Sequence, residues 1–425
     1  MRFLDKFKQP KIKDAATVKN SKAFCILPWV HLYVSPHGLV NPCCLTPWKE
    51  EDAFGKIDEQ PFADIWNGEK IRDFRKNMLA DKKVSSCWQC YENETLGLRS
   101  KRQISNENYA HKLPWILATE KSGYSKDAKP VYWDLRISNL CNFKCRICSH
   151  DSSSKLYDEA KLLGTTSYPT RVNYSIKDID TLLEQLLPSI NEVEEIYFAG
   201  GEPLIMEEHY KIIDLLTANK KFDVKLRYAT NFSTTEFRGR DVFELWSRFK
   251  NVFIHASLDG SCERGEYQRK GQTWSNVIKN RKRMMQICPN VEFMICSAIS
   301  VFNVLHLPDF HKEWTDQKLV EVDNFFPNIL RNPEEFNIKI MPNAYKQKVA
   351  KRYEEHILWL SQFCSTVKYP EKLNMVINEF KNCVTFMNSE DWSHDWNKFK
   401  TKVEVIDKLR NEDTRTVFPE LAEYL

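Results

Sequence analysis

The sequence has no apolar run near the roughly 18 residues that a membrane-spanning helix needs. Its first twenty residues, MRFLDKFKQPKIKDAATVKN, are basic but lack the apolar core of a secretion signal. It also lacks a strong charge of either sign. Lys+Arg 62 against Asp+Glu 58 leaves +4 over 425 residues. So mild a balance argues against nucleic acid or an anionic membrane surface as partner. No Gly-rich phosphate loop, nucleophile–base set or basic groove is evident, and neither is an internal repeat or a low-complexity segment. These absences lead to the expectation of a soluble, cytoplasmic, globular protein. With 42% hydrophobic and 12% aromatic residues, the chain has enough apolar material for a full core.

What the sequence has is cysteine. There are 13, an odd number, and most fall in clusters. A secreted disulfide scaffold is shorter and carries a signal peptide. Clustered thiols in a cytosolic chain point to metal or catalysis.

The length predicts two or three domains, and the pattern divides as follows. Residues 1–22 are polar and read as a flexible tail. Residues 23–100 form a small Cys-rich α+β module. In it, FCILPWVHLYV and LVNPCC flank the turn Pro36-His37-Gly38 as a hairpin. A helix over 62–80 carries Ile65, Trp66, Ile71, Phe74 and Met78 at helical spacing. Residues 101–129 read as a connector. From 130 to 342, short apolar strands alternate with amphipathic helices, such as the one placing Ile176, Ile179, Leu182, Leu183, Leu186 and Leu187 on one face. Strand then helix, about five times over, means a parallel sheet with right-handed crossovers. The fold class expected is α/β, a partial (β/α)6 TIM-type barrel, with ligands at the strand ends. Residues 343–425 read as helical.

Directly after the first barrel strand comes CNFKCRIC, with Cys141, Cys145 and Cys148 spaced C-x3-C-x2-C. Three soft thiolates in eight residues can wrap one corner of an iron–sulfur cube and leave one iron open. A structural zinc site would want a fourth ligand, and His150 is near enough to supply one. In this context the sequence resembles the radical S-adenosylmethionine (radical SAM) superfamily over about residues 130–305. GGEP, Gly200 to Pro203, ends the next strand, 52 positions after Cys148 (200 − 148). The resemblance implies a three-cysteine 4Fe–4S cluster and S-adenosylmethionine as cofactors. It sets Gly200, Gly201 and Glu202 at the methionine amino group. Glycines let backbone approach a ligand closely, and Glu202 offers an acceptor to an ammonium. Asn231, Ser257 and Asp259 then face the methionine carboxylate and the ribose hydroxyls. Arg269 pairs with the carboxylate, and Asn303 lies near the adenine edge. The position before the third cysteine is usually aromatic in that family; Ile147 stands there, offering adenine an aliphatic surface.

A second set comprises Cys25, Cys43, Cys44, Cys87 and Cys90. Twelve residues separate Cys25 from Gly38, four more precede Cys43, and Cys87-Trp-Gln-Cys90 closes the module. This is similar to the auxiliary-cluster modules called SPASM and Twitch, here placed before the barrel. The resemblance implies one auxiliary 4Fe–4S cluster on Cys25, Cys43, Cys87 and Cys90, the G-x4-C spacing favouring Cys43 over Cys44. Four cysteines around C-x2-C also build zinc ribbons. Cys262, Cys288, Cys296, Cys364 and Cys383 are isolated and read as structural.

The resemblance implies an enzyme that cleaves S-adenosylmethionine reductively to a 5′-deoxyadenosyl radical and abstracts hydrogen from a substrate. A peptide or protein is the leading substrate class, and a reducing donor such as flavodoxin or ferredoxin is the expected partner. The alternatives are two-electron oxidation of a small polar or sugar-like molecule and a non-catalytic zinc or iron–sulfur scaffold. The sequence names no general base or radical-quenching donor.

Overall fold

The structure, a computed structural model, describes residues 11–166 and 168–425. The chain divides into two compact units. One takes residues up to Ser138 with Asn173–Gly200 and Glu207–Leu226; the other takes Asn139–Val172, Gly201–Met206 and Arg227–Leu425.

In the first unit, β1 (His31–Val34) and β2 (Leu39–Asn41) form the expected hairpin, and β3 (Gly55–Lys56) pairs with β2. The turn needs Gly38, whose φ is +74°, a conformation that residues with a Cβ rarely adopt. The hairpin is not a separate layer. β1 runs parallel to β4 (Tyr132–Leu135), which runs parallel to β5 (Glu195–Phe198). The Cys-rich module therefore extends the sheet of the first barrel strand. Alternation sorts this sheet into two faces. Leu32, Val34, Trp133, Leu135, Ile196 and Phe198 face one way. His31, Tyr33, Tyr132, Asp134, Glu195 and Tyr197 face the other. Parallel strands covered on both faces are normally apolar throughout. Here one face carries polar groups yet is largely buried, with Tyr132 packed in the core and Asp134 paired with Arg136.

Of the expected tail, residues 1–10 lie outside the described residues. The rest is structured: Ala15–Asn20 is a helix with an Asp14–Thr17 capping box, and Ile12 is buried in the core with Met78. The expected connector is structured too. Helices Lys101–Asn108 and Leu113–Leu117 contribute Tyr109 and Ile116 to the same core. The expected helix over 62–80 is two, Phe62–Trp66 and Glu69–Leu79, broken at Asn67-Gly68. At Gly68 an added Cβ would press on the Asp64 carbonyl.

β6 (Lys225–Thr230) spans the division between the units. Beyond it come β7 (Asn251–Ala256), β8 (Glu292–Ile299) and β9 (Phe325–Ile329). β8 is paired in parallel with β7 and β9. Along β8 every second residue is buried. Helices Glu207–Ala218, Val242–Ser247, Trp274–Ile287 and Leu307–Asp316 follow β5, β6, β7 and β8. The fold class is α/β, with six strands, β4 to β9, in the expected succession. β9 was the strand least visible in the sequence, because Pro327 interrupts its pattern. After residue 342 come three long helices, Asn343–Ser361, Pro370–Asn388 and Trp396–Arg410. Cys383 is buried on one face of the second with Leu373, Val376, Phe380 and Met387.

Candidate iron–sulfur and S-adenosylmethionine site

The loop after β4 brings Cys141, Cys145 and Cys148 together, all in the second unit. Cys141 and Cys145 are buried, and Phe143, Ile147 and Cys148 pack around them. Residues 268–270 staple the loop. Arg269 and Lys270 pair antiparallel with Cys145 and Lys144, and the Arg146 N–H donates to the Gln268 carbonyl at 2.8 Å. Gly271, at φ +111°, gives Phe143 room that a Cβ would fill.

The Gly-Gly-Glu turn closes on the same loop. The Glu202 N–H donates to the Leu140 carbonyl at 2.8 Å. Gly201 has φ +53°, and a Cβ there would overlap that carbonyl oxygen. The Glu202 carboxylate is 1% exposed. It accepts from Thr230 Oγ1 (2.7 Å), the Leu204 N–H (3.2 Å) and the Asn231 N–H (2.7 Å). Three donors leave about one of its roughly four lone-pair positions unused. Burial raises its pKa to about 7, against the opposing pull of those donors.

Asn231 acts through both backbone and side chain. Its Nδ2 donates to Asn142 Oδ1 (2.8 Å), and its Oδ1 accepts from Ser233 Oγ (2.6 Å). Asn142 Nδ2 donates in turn to Ser233 Oγ at 2.9 Å. This ring of three side chains ties the residue after Cys141 to the end of β6.

Asp259 is 1% exposed. One carboxylate oxygen lies 2.7 Å from Arg269 Nε, and the other accepts the Ala298 N–H at 2.8 Å. Asp259, expected with Asn231 and Ser257 at the methionine carboxylate and ribose hydroxyls, holds Arg269 here. The Arg269 guanidinium reaches Cys145 Sγ at 3.8 Å. A hydrogen bond from Cys148, and then the Arg269 charge, pull the Cys145 thiol below its ordinary pKa. Burial pushes Cys141 up to about 12. Asn303 is saturated. Its Nδ2 donates to Asp259 O, Ser297 Oγ and Ala298 O, and its Oδ1 accepts the Ser300 N–H. It therefore braces the Asp259 loop. The half-buried Ser257 donates its N–H to Thr230 O at 2.8 Å. Gly200, at φ +85°, packs on the Arg136 side chain. His150 Nε2 lies 3.0 Å from the Arg171 carbonyl.

In the first unit, Cys25, Cys43, Cys87 and Cys90 line one cavity, with Lys101 and Arg102 at its wall. Cys44 is not among its lining residues; its Sγ accepts from Lys101 Nζ at 3.3 Å. Arg102 is fixed by Glu94 (Nη2–Oε2 2.6 Å) and by the Phe24 carbonyl (2.8 Å). Burial raises all four thiols, Cys43 to about 12. Such thiols ionise only against a strong local positive charge, as iron supplies. Both donor sets are soft thiols, three in one place and four in the other, and both fit iron–sulfur clusters.

An α/β protein with a three-thiol loop at a strand end and a second four-thiol cavity is an iron–sulfur protein with one cluster left open. Residues 135–310 match the Radical SAM superfamily, and residues 25–91 match SPASM, an iron–sulfur cluster-binding domain. The chain thus carries a radical SAM domain and, N-terminal to it, a SPASM domain. Its cofactors are the SAM-binding 4Fe–4S cluster, S-adenosylmethionine and an auxiliary iron–sulfur cluster. No curated protein matches the chain. Among solved structures it is similar to "Native anSMEcpe with bound AdoMet and Cp18Cys peptide", at 20% identity and a TM-score of 0.37. That likeness covers 54% of this chain and 59% of that one, less than two thirds of the relative's length. A second is "Structure of TYW1 with a lysine-pyruvate adduct bound", at 11% identity and a TM-score of 0.27, covering 53% and 70%.

Sequence reasoning missed Thr230, Asn142 and Ser233. Thr230 and Ser233 left a trace only by flanking Asn231 in the string TNFS, and Asn142 left one only by following Cys141.

Proposed function

We propose that the protein cleaves S-adenosylmethionine reductively at Cys141, Cys145 and Cys148 and takes a hydrogen atom from a peptide or protein substrate. When bound, the cluster and S-adenosylmethionine supply one-electron scission of the sulfonium and the hydrogen abstraction that follows, fed by a donor such as flavodoxin or ferredoxin. The chain's own residues bind and orient. Glu202 offers its remaining lone pair to the cofactor's ammonium, with the Gly200-Gly201 backbone beside it. Arg269, held by Asp259, takes the carboxylate. Asn231 fixes the cluster loop, Ser257 serves a ribose hydroxyl, and Ile147 gives the adenine an apolar surface. Asn303 acts at one remove through Asp259. The observation that carries this reading is the convergence of Cys145, Arg269 and Asp259 in one buried chain of contacts.

Support for a peptide comes from the polar face of the first unit. The register aligns Asn41, Tyr33, Asp134 and Tyr197 in one row across four strands. Asn41 is 1% exposed, and neither its Nδ2 nor its Oδ1 has a hydrogen-bond partner. A buried amide left unpaired costs roughly 1–3 kcal/mol per group. A peptide group brings the complementary donor and acceptor together. The test incubates the anaerobically reconstituted, reduced enzyme with S-adenosylmethionine and either capped tripeptides or polyols. Peptide-dependent 5′-deoxyadenosine with a mass change in the peptide is expected. Stimulation by polyols alone would replace the substrate class, and no 5′-deoxyadenosine under any condition would remove the reaction itself.

A further inference from the structure

Neither domain match extends beyond residue 310, which leaves the C-terminal helices without a role. The contacts of Arg146 supply one. Arg146 stands between two cluster cysteines, in Cys145-Arg-Ile-Cys148, and its side chain is fully buried. Its Nη2 lies 2.6 Å from Asp407 Oδ1 and 2.5 Å from Glu412 Oε2. Its guanidinium sits over the Tyr267 ring, 3.6 Å from the centroid. The Tyr267 hydroxyl donates to Asp407 Oδ1 at 2.7 Å, and the other Asp407 oxygen accepts the Thr414 N–H at 2.8 Å. Two neighbours in the loop are held by the same segment. Lys270 pairs with Glu412 at 2.7 Å, and Glu159 bridges Lys144 (3.2 Å) to Arg410 (2.8 Å).

We infer that residues 407–414, at the end of the last long helix, clamp the SAM-cluster loop in its ligating shape, with Arg146 as the positioning residue. Three features carry this. Cys145 and Cys148 stand only three positions apart, with Arg146 between them, so a shift of Arg146 moves both together. The Cys148 N–H already donates to the Cys145 carbonyl at 3.2 Å, which makes that turn a rigid lever. The clamp is built from buried, charge-assisted and bidentate-capable groups, the interactions that lose most when one partner is removed. Arg146 Nη2 meets both carboxylates while the guanidinium plane covers the Tyr267 ring, and that planar stack is what lysine's point charge does not reproduce. The left-handed Asn411 (φ +51°) ends the last long helix between Asp407 and Glu412, both of which reach Arg146.

The experiment uses the full chain, reconstituted anaerobically with both clusters, and follows iron release to a ferrous chelator. Cys87→Ala protein, which lacks the auxiliary cluster, assigns the phases. In Arg146→Met, the half of the iron held by the three-cysteine loop should leave about tenfold faster, while the auxiliary half leaves at the wild-type rate. The change that S-adenosylmethionine makes in the electron paramagnetic resonance spectrum of the reduced cluster should shrink in parallel. Arg146→Lys should fall between wild type and Arg146→Met. If Arg146→Met does not fold, Glu412→Gln decides the matter, with a selective acceleration of about threefold or more expected. Equal acceleration of both halves would reduce the segment to general stability and overturn the clamp, as would release and spectra unchanged from wild type.

Discussion

Arg269 Nε lies 2.7 Å from Asp259 Oδ2, and both side chains are buried beside Cys145. The pair explains how a full guanidinium charge persists next to a cluster loop. Replacing Asp259 with Asn leaves that cation without its counter-charge, a loss of about 3–5 kcal/mol for a buried pair. The denaturant midpoint should fall and the S-adenosylmethionine dissociation constant should rise. An unchanged midpoint would show that Cys145 alone balances Arg269.

Glu202 predicts a pH dependence. Burial raises its carboxyl pKa to about 7, with the Asn231, Thr230 and Leu204 donors and the Arg269 charge pulling the other way. A bound ammonium favours the ionised form, so binding lowers this pKa and releases a proton. Affinity for S-adenosylmethionine should therefore weaken as pH falls below about 7 and level off above it. Calorimetry in two buffers of different ionisation enthalpy reads the released proton directly. Glu202→Gln should flatten the profile and weaken binding by roughly 1.5–3 kcal/mol, the worth of a charge-assisted hydrogen bond.

The two adjacent cysteines of the first unit should behave differently. Cys43 lines the four-thiol cavity, whereas Cys44 takes a hydrogen bond from Lys101. Iron analysis should show about half the iron lost in Cys43→Ala and in Cys87→Ala, and none lost in Cys44→Ala. Equal losses from Cys43→Ala and Cys44→Ala would mean that the two thiols exchange places.

Cys145→Ala should abolish 5′-deoxyadenosine formation while the circular dichroism spectrum stays that of the folded chain. Persistent product would sink the assignment of the open cluster to this loop.

A histidine pair far from the cysteines sets acid stability. His311 Nδ1 lies 3.1 Å from His356 Nε2, and burial lowers the two pKa values to about 3 and about 2. Both rings are neutral when folded, and the unfolded chain takes up protons first. Their contribution is complete above the unfolded value of 6.5 and is lost as pH falls below it. Each ring adds a slope of about 1.4 kcal/mol per pH unit in that range. Denaturation at pH 7 and pH 5 should show a smaller difference for His311→Phe than for wild type.

The legible parts of this protein were strings. CNFKCRIC and GGEP are local patterns whose meaning survives without the fold, and strand–helix alternation gave the barrel class. Partnerships across distance were not legible. Asp259 read as a cofactor contact or an ordinary turn residue, because nothing in HASLDG announces Arg269 ten residues on. Arg146 drew no reading from the sequence, its carboxylates lying 261 and 266 positions away. The choice between Cys43 and Cys44 rested on one spacing, since neighbouring residues differ only in where the backbone aims them. Residues 11–22 and 101–129 read as loose because they are polar, yet single apolar anchors such as Ile12, Tyr109 and Ile116 suffice to dock them.

The parallel pairing of β1 with β4 has a practical corollary for anyone dissecting the molecule. A fragment starting at residue 130 would strip β4 of a flanking strand and leave four residues of backbone amides and carbonyls open along a sheet margin. Such margins recruit strands from other copies, so the excised barrel should precipitate or self-associate rather than behave as an independent catalytic core.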